Sequence, residues 1–173
     1  RIAYSSTRRN GKDRDIYSVN PTDPKGDRLV VQVEGGGWGV VDWSPDDRQI
    51  IVGEYVSINE SYLWLSDTTT GQKTLLTPKG GPEKVSYSGA EFSKDGKGIY
   101  VTTDRDSEFQ RLAYIDLTTK QHTYLTSHVN WDVDNFDLSP DGKTIAFVTN
   151  EDGISVLHLL DTATRKEKPV PKL

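Results

Sequence analysis

A four-residue turn is written three times in this chain, as Ser44-Pro45-Asp46-Asp47, Ser93-Lys94-Asp95-Gly96 and Ser139-Pro140-Asp141-Gly142. The serines stand 49 and 46 residues apart, and each turn joins two short apolar runs. A repeat of this length is too long for a lone hairpin, because two further strand-like segments follow before the next turn. It has the length of one four-stranded blade, and the chain is predicted to be all-β, a β-propeller fragment of about four blades.

The turn explains itself physically. Proline pre-sets the first central position of a type I turn, aspartate folds its side chain onto the local backbone, and glycine accepts a left-handed exit. Lys94 replaces the proline once and Asp47 replaces the glycine once; aspartate tolerates the left-handed region better than most residues with a side chain. Asp46, Asp95 and Asp141 are accordingly read as turn formers rather than catalytic or metal-binding carboxylates.

Outward from these turns the repeats align. The inner strand is predicted at 38–43, 87–92 and 134–138, and the next at 50–53, 99–102 and 145–148, runs rich in β-branched and aromatic residues. The third strand ends at a recurring polar stop, Asn20, Asp67, Asp116 and Asp161, spaced by 47, 49 and 45 residues. A Thr-rich turn and a short outer strand follow. The blades fall at about 1–34, 35–78, 85–127 and 133–173, as one partial propeller domain. The first lacks its inner strand, which leaves fifteen strands, one short of four full blades. Closed propellers leave no long edges. The arc is thus expected to be cut from a larger ring or to associate with itself, most simply as a two-fold dimer.

Composition adds exclusions. A net charge of −5 argues against general affinity for nucleic acid or acidic membranes, and no apolar run is long enough to span a bilayer. Zero cysteines exclude disulfides and thiolate chemistry, while the compartment stays open. The chain has no methionine and opens without a signal peptide, which fits a processed or excised piece.

Motifs for chemistry are mostly absent. There is no Gly-x-Ser-x-Gly elbow to carry a hydrolase nucleophile. His158 stands mid-strand between Leu157 and Leu159 and reads as a packing residue; His122 sits by an outer strand, and His128 in a loop before Trp131. The acids of Asp104-Arg105-Asp106-Ser107-Glu108 lack the glycine and distal glutamate of an EF-hand loop, and Arg105 and Arg111 point to local ion pairing. Gly35-Gly36-Gly37-Trp38-Gly39 is a connection between blades, not a dinucleotide fingerprint, and Asn59-Glu60-Ser61 matches a glycosylation sequon. No catalytic residue, metal or cofactor is assigned.

Strands alternate in direction, so one end of each blade carries the short repeated turns and the other the longer loops: 6–14, 55–61, 79–86, 104–110 and 128–132. Binding residues concentrate on loops freed from packing. The substrate or partner face is predicted there, with Arg8, Arg9, Tyr55, Asn59, Glu60, Arg105, Glu108, Phe109 and Trp131.

The Ser-Pro-Asp-Gly turns, and Ser5-Ser6-Thr7-Arg8-Arg9-Asn10-Gly11 followed by Asp15-Ile16-Tyr17, resemble the TolB-type propeller repeat. Three longer phrases, Glu54 to Trp64, Thr103 to Phe109 and Thr149 to Gly153, resemble the N-terminal propeller of bacterial peptidases of the prolyl oligopeptidase and dipeptidyl peptidase family. The resemblance covers essentially the whole chain. It implies a non-catalytic propeller that covers the active site of a separate C-terminal α/β-hydrolase domain, itself the bearer of the Ser-Asp-His triad, and restricts the access of peptide substrates. The adjacent glutamate pair with which dipeptidyl peptidases hold a substrate's amino terminus is not found, so exopeptidase specificity is not carried over. The alternative is a TolB-like periplasmic protein-binding scaffold without activity; a sugar- or polyanion-binding propeller is disfavoured by the acidic charge.

Overall fold

A computed structural model describes residues 1–171. The predicted end of the last blade, at 173, lies outside the described residues. Within them are fifteen strands in four antiparallel sheets, each following chain order, and no helix. These sheets are propeller blades, and they divide between two compact units, Arg1–Lys84 and Val85 onward.

The first unit holds a three-stranded sheet, β1 (Ile2–Ser6), β2 (Asp15–Asn20) and β3 (Asp23–Val31). It also holds a four-stranded sheet, β4 (Trp38–Trp43), β5 (Gln49–Ser57), β6 (Glu60–Asp67) and β7 (Lys73–Leu75). The missing inner strand of the first blade is therefore observed. Ile16, Val30, Val31, Val33, Ile50 and Val52 pack together as this unit's core, with Trp38 and Trp64 at its margin.

The second unit repeats the four-stranded pattern twice. One sheet is β8 (Tyr87–Phe92), β9 (Gly98–Thr103), β10 (Arg111–Asp116) and β11 (His122–Tyr124). The other is β12 (Val133–Leu138), β13 (Thr144–Glu151), β14 (Ile154–Asp161) and β15 (Lys166–Lys168). Its core includes Leu112, Leu138, Ile145, Phe147 and Leu160.

The three repeated turns are one hydrogen-bonded module. Ser44, Ser93 and Ser139 each donate Oγ–H to the aspartate two residues on, at 2.7 Å in all three. The same hydroxyl accepts the N–H five residues on, from Gln49, Gly98 and Thr144 at 2.9, 3.1 and 3.0 Å. Asp47, Gly96 and Gly142 take left-handed φ of +59°, +68° and +71°, as the turn chemistry requires.

A second module closes the far end of β6, β10 and β14. Asp67, Asp116 and Asp161 accept a threonine N–H and hydroxyl three residues on, from Thr70, Thr119 and Thr164. The next residue is left-handed in each: Gly71 at +73°, Lys120 at +60° and Arg165 at +58°.

The outer strands β7 and β11, predicted at 74–77 and 123–126, begin one residue earlier and stop after three residues, because a side chain takes over from the backbone ladder. Leu76 and Leu125 still donate N–H to Leu63 and Leu112. The next residues, Thr77 and Thr126, use Oγ1 to accept the N–H of Leu63 and Leu112 at 3.1 and 3.0 Å. Buried donors are thereby satisfied where pairing stops.

These modules tie stability to acid. Hydrogen bonds from the serine hydroxyls hold Asp46, Asp95 and Asp141 below the usual carboxylate range. Threonine N–H groups do the same for Asp67 and Asp116, and carry Asp161 down to about 2, with help from Lys168. Between the native values and the ordinary 3.8, the unfolded chain binds more protons than the folded one, so stability rises with pH there. The urea midpoint is expected to hold above about pH 4 and to fall as pH drops toward about 2. Asp161→Asn should flatten part of that slope. A midpoint unchanged from about pH 5 to 2.5 would contradict this account.

Candidate functional site

In the first unit, the loop after β1 is pinned by its own charges. Arg9 donates to Asp15 at 2.6 Å, to Asp13 at 3.0 Å and to the Val33 carbonyl at 3.1 Å. Asp15 is fully buried and also accepts the Val33 N–H, and the Arg9 bond keeps its carboxyl ionised well below the usual range. Arg8 lies over the Tyr17 ring at 3.7 Å and pairs with Asp27, which the Tyr4 hydroxyl also reaches. Both predicted arginines are thus engaged within their own blade, Arg8 on the exposed side and Arg9 half-buried.

The predicted loop 55–61 is instead a continuation of two strands. β5 and β6 pair out to Ser57 and Glu60, leaving Ile58 and Asn59 as a two-residue turn. Tyr55, Val56 and Tyr62 favour extended backbone, which lengthens the hairpin beyond the reach of β4, whose pairing stops at Glu54. Its tip is apolar and solvated: Tyr55, Val56 and Ile58 are 61%, 51% and 80% exposed. Glu60 accepts from the Tyr62 hydroxyl, which is pushed up to about 12 by that bond, and pairs with Lys84 at 3.4 Å. Asn59 is exposed at the tip.

In the second unit, Arg105 is half-buried, 3.5 Å from Asp106 and with Nη1 3.1 Å from His122 Nδ1. Burial, then the Arg105 charge, lowers the His122 imidazole and favours its neutral form. The expected pairing of Arg105 is present; Arg111 differs, its Nε buried without a hydrogen-bond partner. Glu108 is exposed, while Phe109 and Trp131 are partly exposed. His158 stacks on Phe147, with ring centres 4.7 Å apart, as a packing residue does, and its Nε2 lies 3.0 Å from Thr149 Oγ1. His128 meets Glu167 at 2.8 Å. Among the described residues no histidine is shown hydrogen-bonded to a serine; the one hydroxyl beside an imidazole is that of Thr149, at His158.

Sequence reasoning missed two hollows built across strands. In the first unit, a hollow of about 520 Å³ is walled by Trp38 and Trp64, with Lys73 Nζ 4.6 and 5.6 Å from their ring centres. Lys79 there donates to both oxygens of Glu54, which also accepts the Trp64 Nε1–H. In the second unit, a hollow of about 410 Å³ lies at the short-turn end, lined by Tyr100, Tyr114, Leu125, Asp95, Asp141 and Arg165. These residues are far apart in sequence, and the only prior signal was aromatic and charged residues recurring at equivalent blade positions.

Antiparallel sheets whose strands are joined by these two turn modules define β-propeller blades. The chain is 27% identical over 139 residues to dipeptidyl-peptidase 5 of Porphyromonas gingivalis, a match covering 74% of this chain and 20% of that protein. In fold it is similar to TolB from Acinetobacter baumannii, with a TM-score of 0.70 at 21% identity, over 96% of this chain and 40% of that one. A prolyl endopeptidase structure matches with a TM-score of 0.72 at 17% identity, over 92% of this chain and 23% of the endopeptidase. No family model matches the chain. The chain therefore spans about a fifth of the curated relative's length, 20%.

Proposed function

We propose that this chain is the non-catalytic propeller portion of a serine peptidase of the prolyl oligopeptidase family, both units being arcs of one domain that gates peptide access to a C-terminal α/β-hydrolase domain. The observation that carries this is the 27% identity over 139 residues to a dipeptidyl-peptidase of which the match covers 20%. In this reading the long-loop ends meet the peptide or the hydrolase domain, with the apolar tip Tyr55, Val56 and Ile58 of the first unit and Trp131 of the second as contacts. The TolB-like scaffold is the second reading, supported by the likeness to TolB over 96% of the chain.

The full reading frame separates the two. A downstream Gly-x-Ser-x-Gly elbow is expected. A fluorophosphonate probe should then label one serine of the full-length protein and leave the mass of the 173-residue chain unchanged. A reading frame without a hydrolase domain, or labelling of the short chain, would overturn the peptidase reading.

A further inference from the structure

The hollow between the turns of β8–β9, β12–β13 and β14–β15 lies at the end opposite the loops considered above. It is bounded by the tyrosine rings of Tyr100 and Tyr114, 5.3 Å apart, with Leu125 and Ala163 completing an apolar wall. Tyr100 is only 8% exposed and lines the hollow beside Tyr114. Burial keeps both tyrosines protonated, and so able to donate.

Charge of both signs reaches the same space. Arg165 stands at the left-handed position of its turn, φ +58°, and its guanidinium has no carboxylate within ion-pair distance among the described residues. Asp95 and Asp141 each spend one oxygen on the turn serine and a backbone N–H, at 2.7 and 3.1 Å in both turns. Those bonds keep both carboxylates ionised. The second oxygen of Asp95 makes no hydrogen bond, and that of Asp141 has only Lys143, 4.0 Å away. A simple anion would meet Arg165 but also two carboxylates, and a simple cation would meet the reverse. A molecule carrying both charges satisfies both sides.

We infer that this hollow is a binding site for a small zwitterion with an apolar side chain, the chemistry of a free amino acid or a dipeptide. Arg165 receives the carboxylate in its planar fork, with the Tyr100 hydroxyl as a second donor. Asp95 and Asp141 receive the ammonium, and the side chain lies against Leu125 and the tyrosine rings. The volume, about 410 Å³, falls in the range of small-molecule pockets.

Titration of the isotope-labelled chain followed by two-dimensional NMR tests this, with L-leucine and glycyl-L-leucine as probes. Saturable shifts are expected at the amides of residues 93–100, 141–143 and 162–165, and the stronger of the two probes identifies the source. N-acetyl-L-leucine and L-leucinamide, each lacking one charge, should bind at least about tenfold more weakly. Arg165→Asn, which suits the left-handed turn, should weaken binding about tenfold, and Tyr100→Phe about threefold. Equal binding of the blocked forms, an unaffected Arg165→Asn, or no saturable shift with either probe would overturn the assignment. The blocked-ligand comparison uses the unaltered chain, so it stands even if a variant folds poorly.

Discussion

Replacing Phe147 by alanine is expected to destabilise the fold by about 3–5 kcal/mol, the cost of emptying a large aromatic site in a packed core. Phe147 is fully buried on β13, where it pairs with Phe136 on one side and His158 on the other. Its ring lies parallel to the His158 imidazole, 8° from coplanar, so the substitution also removes a stacking partner. Neighbours Leu112, Ile145 and Leu160 are fully buried too and have little freedom to close the gap. A domain's whole stability is about 5–15 kcal/mol, so the variant should sit near its unfolding midpoint under mild conditions. Chemical denaturation read by tyrosine and tryptophan fluorescence measures it, with Phe147→Leu as the smaller change. A loss below about 1 kcal/mol would mean that this sheet face is not packed as described.

The blades were legible in the sequence because their punctuation is local. Each Ser-x-Asp turn satisfies its own donors within six residues, so its chemistry survives in the sequence whatever packs around it. The polar stops behaved the same way: Asn20, Asp67, Asp116 and Asp161 each end a strand where predicted. What escaped was set by neighbours across the sheet. Nothing local shows that Thr77 and Thr126 end the outer ladder, since their acceptor role depends on Leu63 and Leu112, 14 residues earlier. The site was less legible still. Arg8 and Arg9 stand in a loop predicted to face a substrate or partner, and nothing local in the sequence shows that their partners include Asp27, 19 residues on from Arg8, and the Val33 carbonyl, 24 residues on from Arg9. Arg165 follows a Thr-rich turn about 50 residues or more from Tyr114 and Tyr100, and only the fold brings the three to line one hollow.

Gly71→Ala should be the most damaging change in any of the Thr-rich turns, and the reason is a neighbour rather than a dihedral angle. The equivalent positions in the next two blades are held by Lys120 and Arg165 with the same left-handed φ, so a side chain is compatible with the turn itself. That conformation costs a residue other than glycine roughly 1–2 kcal/mol. At Gly71 an added Cβ would in addition drive into the carbonyl oxygen of Val30. This oxygen is backbone, part of β3, and Val30 is itself buried, so it has no flexible side chain to swing aside. Overpacking of this kind adds about 1–3 kcal/mol. Gly80→Ala supplies the comparison, because Gly80 has φ of +83° and nothing within 4 Å of the added atom. Gly80→Ala should therefore show the conformational cost alone, and Gly71→Ala that cost plus the collision with β3. Equal urea midpoints for the two variants would show that the first two blades are not in contact at Val30.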